Sequence, residues 1–97
     1  MVHGWPSGPL WLVVTALEEL GRVALGAGQT IVALELCAAA AARRSAMEAP
    51  LPPYRRPPID ALLADARIAL GDQGFREAWV EGATWGLERA VTVAREI

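Results

Sequence analysis

Lysine and asparagine are absent from this chain of 97 residues, and histidine, cysteine, phenylalanine and tyrosine occur once each. All nine basic residues are therefore arginine, set against eleven acidic ones for a net charge of −2. Such a balance excludes the clustered basic face with which proteins meet nucleic-acid phosphates, and the arginine bias reads as a GC-rich coding sequence. The basic pairs Arg43/Arg44 and Arg55/Arg56 fall at or just beyond expected helix ends, where arginine complements the carbonyl end of the helix dipole. A single cysteine, Cys37, excludes an internal disulfide and suits a reducing cytoplasm. The start of the chain, Met1 to Pro9, has neither the charged head nor the cleavage site of a signal peptide. It is expected to be a flexible leader over residues 1–9.

Reactive constellations are equally scarce. His3 lies in the leader, away from any cysteine or carboxylate at metal-ligand spacing. Gly26-Ala27-Gly28 lacks the downstream Gly-Lys-Ser/Thr of a phosphate loop. Cys37 falls among alanines with neither a base nor an activating charge nearby, so it reads as a small core residue. Glu77 and Glu81 share one helix face with Arg76 close by, which is a solvated surface and not a pair of carboxylates facing across a cleft. No catalytic, cofactor-binding or metal-ligating residue is assigned, and no cofactor is expected. The apolar stretch from Val23 to Ala42 approaches the length of a membrane span but contains Gln29, Thr30 and Glu35 and is broken by Gly26 and Gly28. It reads as two helices meeting at a turn.

What the chain does have is alanine and a helical period. Hydrophobic residues make up 54% of it, recurring at steps of three and four with no alternation of period two, so the expected class is all-α. At this length a single domain buries roughly 60–65% of its unfolded surface, and residues 10–97 are taken as that domain. About five helices follow from the pattern. The first runs from about Leu10 to Leu25, with Leu10, Val13, Val14, Leu17, Leu20, Gly21 and Ala24 along one face and Glu18–Arg22 as an exposed pair. The second runs from about Thr30 to Met47 on a stripe of Ala33, Leu34, Cys37, Ala38, Ala40 and Ala41, flat enough for another backbone to lie close. Prolines 50, 52, 53, 57 and 58 mark a connector at 48–58, expected to be extended. Tyr54 within it offers an aromatic to a binding groove, but a structural linker is the plainer reading. A third helix spans about Pro58 to Leu70. Gly71 stops it, and a fourth follows from about Gln73 to Glu81, burying Phe75, Ala78 and Trp79. Beyond Gly82 the chain turns, Trp85 packing back onto the fourth helix, into a last helix from Leu87 to about Glu96.

From Leu17 to Ala40 the small and large residues Leu17, Leu20, Gly21, Ala24, Gly28, Ala33, Cys37 and Ala40 are spaced as in a tetratricopeptide hairpin, and the segment resembles that family. Small residues at Gly21 and Ala33 let two antiparallel helices touch. It departs from the family pattern at Ala24, where a larger aromatic is common, and at Ser45, where proline often closes the repeat. Further on, Ala49-Pro50-Leu51-Pro52-Pro53, a helix ending in Ala69-Leu70-Gly71, the run from Gly74 to Gly82, and Leu87 to Val91 resemble the C-terminal tail of large bacterial signal-transduction ATPase regulators, LuxR-type and cyclase-linked members included. In such tails the last helix opens with a capping box, where this chain has Gly86 and Arg89; loss of that cap is worth about 1 kcal/mol. The ATPase and DNA-binding portions are absent, so neither activity carries over.

The resemblance implies antiparallel helical hairpins and a non-catalytic interaction or scaffolding role in transcriptional or signalling regulation. The expected partner is protein: the parent regulator, or a second copy in a homodimer, with no nucleic acid and no membrane. Trp5, Trp11, Leu12 and Val14 are the candidate interaction surface. Leu17, Leu20, Gly21, Ala24, Ala33, Cys37, Ala40, Phe75 and Trp79 are the candidate packing residues. The alternatives are a purely structural stand-alone fragment, or a small enzyme or ligand-binding domain.

Overall fold

A computed structural model describes the backbone from Ser7 to Ile97 and the side chains from Leu10 onward. Within those residues the chain is all-helical, without strands, and has four α-helices: α1 (Ser7–Gly26), α2 (Thr30–Met47), α3 (Arg56–Ala83) and α4 (Leu87–Ala94). The expected leader therefore overlaps α1 by three residues. Pro9 sits in the first helical turn, where its missing N–H has no intrahelical acceptor to lose.

The α1–α2 turn is made by Gly28, whose φ of 82° lies in the left-handed region. The amide of Gln29 donates to Ala24 O at 2.9 Å and that of Gly28 to Leu25 O at 3.0 Å, which satisfies the last carbonyls of α1. The two helices then run back against each other on small residues. A Cβ added to Gly21 would lie 3.1 Å from Cys37 Sγ and 3.2 Å from Ala33 O, so the approach is close enough to exclude larger side chains. Leu17, Gly21, Ala24, Ala33, Cys37 and Ala40 are buried and Leu20 is half-buried.

Two apolar clusters flank α2. On one side Val14, Leu17, Leu36, Ala39, Ala40, Trp85, Ala90 and Ala94 join α1, α2 and α4. On the other Leu34, Ala66 and Ala78, with Phe75 and Trp79 against them, join α2 to α3. Leu17, Leu34, Leu36 and Val14 are the largest side chains fully removed from water, each contributing about 1.5–3 kcal/mol.

Several expectations are corrected. The segments expected as third and fourth helices both lie within Arg56–Ala83, and the break expected at Gly71 is there as a kink: φ is 75° and ψ 169°, outside the helical region, so two helical segments meet at a glycine that adopts that conformation readily. The connector is shorter than 48–58. Pro52 is extended (φ −59°, ψ 146°), Pro53–Arg55 form a 3-10 turn, and Pro57 and Pro58 lie within the first turn of α3. Val14, placed on the candidate interaction surface, is wholly buried in the α1–α2–α4 core. Glu18 and Arg22 are not a pair: Arg22 bonds Glu19 at 3.0 Å, and Glu18 turns inward. The turn expected beyond Gly82 begins one residue later, after Ala83, and Gly82 itself packs in the last turn of α3, where an added Cβ would overlap the Glu35 backbone, 2.6 Å from its Cα. Trp85 donates from Nε1 to Glu81 of α3 at 3.0 Å, while its ring joins the core of α1, α2 and α4.

Candidate functional site: a cleft beside a buried ion network

The charged residues that the helical stripes carry inward meet at one place. Glu18 follows Leu17 and precedes Gly21 by three on the packing face of α1, so its side chain points toward α2. Arg44 stands seven residues after Cys37 on the matching stripe of α2. Both are 4% exposed. Arg44 Nε donates to Glu18 Oε2 at 2.6 Å and Nη2 to Glu18 Oε1 at 3.0 Å, a bidentate pairing suited to guanidinium and carboxylate. The remaining donors reach Thr15 Oγ1 at 3.4 Å and Ala49 O at 3.2 Å. Arg55, from the 3-10 turn, places Nη2 3.0 Å from both Glu18 Oε1 and Glu19 Oε2. Two carboxylates and two guanidiniums thus cancel, and the connector is tied to the α1–α2 hairpin by charge. Such a network stabilises little relative to apolar filling, but loss of one member leaves a buried charge uncompensated.

Next to the network lies a cleft of about 630 Å³ between α2, the connector and α3, within the range of small-molecule sites. Its floor follows one stripe of α2: Cys37, Ala41, Arg44, Ser45 and Glu48. These side chains are mostly short, so they leave depth. Pro50 and Leu51 of the connector and Ile59, Leu63 and Trp79 of α3 form apolar walls, and Glu18, Ala49, Arg56 and Asp60 complete the lining. Glu48 ends α2 in the left-handed region (φ 54°, ψ 40°), a position glycine usually takes. The amides of Glu48 and Ala49 donate to Ser45 O and Arg44 O.

Cys37 borders the cleft as a buried free thiol. Burial, with the Glu18 and Glu19 carboxylates adding to it, pushes its pKa up to about 12. The thiol is protonated at neutral pH and a poor nucleophile. At the other end of α2, burial first and Glu81 second raise the pKa of Glu35, opposed by Arg89. Arg89 also lies over the Trp85 ring, 5.1 Å from its centroid. Glu77, Glu81 and Arg76 are exposed on α3 alone; Glu77 accepts from Gln73 at 3.0 Å and Glu81 from Trp85. Among the described residues no group of three His, Cys, Asp or Glu is placed to hold a metal ion, and no helix is long and apolar enough to cross a membrane.

The candidate surface residues part company. Trp5 and His3 lie outside the described residues. Trp11 is 37% and Leu12 62% exposed; Leu12 lies on the opposite side from core-bound Val14, whereas Trp11, three residues before Val14, lies on the same flank of α1. Phe75 and Trp79 stack with ring centroids 6.1 Å apart, Arg67 covering Phe75 at 4.2 Å, and Trp79 alone of the two borders the cleft. Tyr54 is 76% exposed at the connector. Sequence reasoning missed Glu18, Arg44, Arg55 and Glu48. The available signal was a charged residue falling on each of two apolar stripes, which marks a buried pair when both occur in one hairpin. No family model, curated protein or solved structure matches the chain.

Proposed function

We propose that the chain is a non-catalytic protein-interaction module, a tetratricopeptide-like helical-repeat end-cap of a cytoplasmic bacterial transcriptional or signalling regulator. Its family placement rests on the sequence resemblance. Its mode of action is carried by one observation, that α1 is apolar on two sides. Val14, Leu17, Gly21 and Ala24 face inward, whereas Leu12, Ala16 and Val23 form an exposed outward stripe at helical spacing, interrupted by the ion-paired Glu19, Leu12 and Val23 being 62% and 56% exposed. In a repeat stack such a face is covered by the neighbouring hairpin, and in the isolated chain a second copy is the occupant of matching shape and polarity.

Sedimentation velocity over a concentration series tests this reading. A mass that rises toward a dimer with concentration, and falls back to the monomer in Leu12→Glu and Val23→Glu, supports it. A strict monomer at every concentration, indifferent to both substitutions, overturns it.

A further inference from the structure

The cleft is a different surface from the outward stripe of α1, and its chemistry is more specific. Its walls are apolar, from Leu51, Ile59, Leu63 and the ring of Trp79. At its base Arg44 spends its guanidinium on Glu18, Thr15 and Ala49 O, so no free cation waits there for an anion. Three further charges border it: Glu48 at the end of α2, and Arg56 and Asp60 in the first turns of α3. All three are exposed, and none has an ion-pair partner among the described residues. Arg56 and Asp60 stand four apart on one helix and offset each other, which leaves Glu48 on the facing side as the uncompensated charge. Glutamate holds a left-handed position there that glycine would occupy without strain, and in doing so it brings a carboxylate to the cleft.

We propose that the cleft binds a small cationic amphiphile, an aromatic-sized apolar body carrying one amine. The body fills the space over Cys37 and Ala41 against Trp79, and the ammonium reaches the Glu48 carboxylate. A drug-sized cleft with predominantly apolar walls and a few polar groups that fix orientation is the usual form of such a site. The charge at the mouth selects the head group more than it supplies affinity.

Three probes with one body and three heads test the proposal: 4-phenylbutylamine, 4-phenylbutanol and 4-phenylbutyrate, titrated into the full chain. The readout is the indole N–H resonance of Trp79, assigned by its loss in Trp79→Phe. The expected order of affinity is amine, alcohol, carboxylate, the amine leading the alcohol by about three- to fivefold, as one exposed ion pair allows. Glu48→Gln should erase that lead without weakening the alcohol. Ala41→Leu, which fills the floor, should abolish binding of all three while leaving the far-ultraviolet circular dichroism unchanged; Ser45→Leu, at an exposed floor position, serves if Ala41→Leu does not fold. Equal affinity for the three heads, an amine lead that survives Glu48→Gln, or binding that survives the filled cleft overturns the proposal. So does the absence of any Trp79 response at millimolar amine.

Discussion

The two sides of α2 are packed by different means. Toward α1 and α4 it presents Leu36, Ala39 and Ala40 to Val14, Leu17 and the ring of Trp85, so that beyond the close approach at Gly21 the partners' large side chains fill the space. Toward α3 the same helix has one large residue, Leu34, on a stripe that continues as Cys37, Ala41 and Ser45. At the Leu34 end the helices close until Gly82 rests on the Glu35 backbone. Further along α2, small side chains and a connector anchored through Arg55 leave the cleft open. A stripe of small residues therefore has two outcomes within one helix pair. Where the facing residue is glycine the backbones touch, and where the facing residues are Ile59 and Leu63 on a helix held apart by its connector, a cavity remains.

The sharpest way to break that contrast is to remove the charge that ties the connector down. Arg44→Met keeps the stem but leaves the Glu18 carboxylate buried against Arg55 alone, and should cost about 3–5 kcal/mol. Glu18→Leu combined with Arg44→Leu should recover much of that loss, because no carboxylate is then stranded and the volume is apolar. Urea denaturation of the single and double variants checks this. Additive losses in the double variant would mean that the pair is not coupled as the geometry requires. Next in size, Gly82→Ala forces a methyl into the Glu35 backbone and should cost about 1–3 kcal/mol, whereas the same change at Gly26, open on all sides, should be neutral or slightly stabilising. Equal effects at the two glycines would deny the close crossing.

How far these features could be read from the residues follows from what kind of signal each leaves. The α1–α2 turn and the ends of α2 were legible because Gly28 and the apolar period are local, and α2 spans Thr30–Met47 as expected. The break at Gly71 was legible because its signal is local, a glycine that takes a positive φ; how the two segments then lie is set by the packing of Ala66 and Ala78 on the same Leu34. Gly82 was legible as the place beyond which the chain turns, but its packing was not. Its glycine serves a contact with Glu35, 47 positions earlier, which leaves no local trace. Glu18 was read as one of an exposed pair, charged residues being mostly exposed, and Arg44 as a complement to the helix dipole, although the stripes on which they fall are inward. The cleft was not legible at all, since the flat alanine face from Ala38 predicted close approach without saying over what length it holds.

A smaller effect separates the tight end of α2–α3 from the last helix, which is attached less firmly. Gly86 precedes α4 with φ −73° and ψ 163°, and no side chain caps the helix. Any residue adopts that backbone conformation, and nothing lies within 4 Å of an added Cβ. Gly86→Ser should therefore stabilise by about 0.5–1 kcal/mol, through a cap to the free amides and a less flexible unfolded chain. Arg89→Glu, which would complete the capping box, should not add to it, because Arg89 covers the Trp85 ring and faces Glu35. Hydrogen exchange of the α4 amides should slow in Gly86→Ser while that of α2 stays in step with global stability; unchanged exchange would show that α4 is already held by Ala90 and Ala94.

The smallest effect reads the closed end by its electrostatics. Glu35 has its pKa raised above the ordinary 4.5 by burial and by Glu81, so the folded chain holds that proton more tightly than the unfolded one. Stability from this group is fully present below the ordinary value and is lost as pH rises through the raised one. Comparison with Glu35→Gln isolates it: the variant should gain on the parent chain as pH climbs from 4 toward 7, and the two should converge in acid. Because Glu35 is only half-buried, solvent screens most of the term. Its sign is set first by burial, to which Glu81 adds and which Arg89 opposes. Glu81→Gln should flatten the pH dependence, although it also frees the Trp85 indole, and Arg89→Gln should steepen it by removing the one cation that opposes the shift. A profile that ignores both neighbours would leave burial as its sole cause; one identical in the parent chain and Glu35→Gln would place Glu35 in water, and with it would go the tight crossing at Gly82 that sets this end of α2 apart from the cleft.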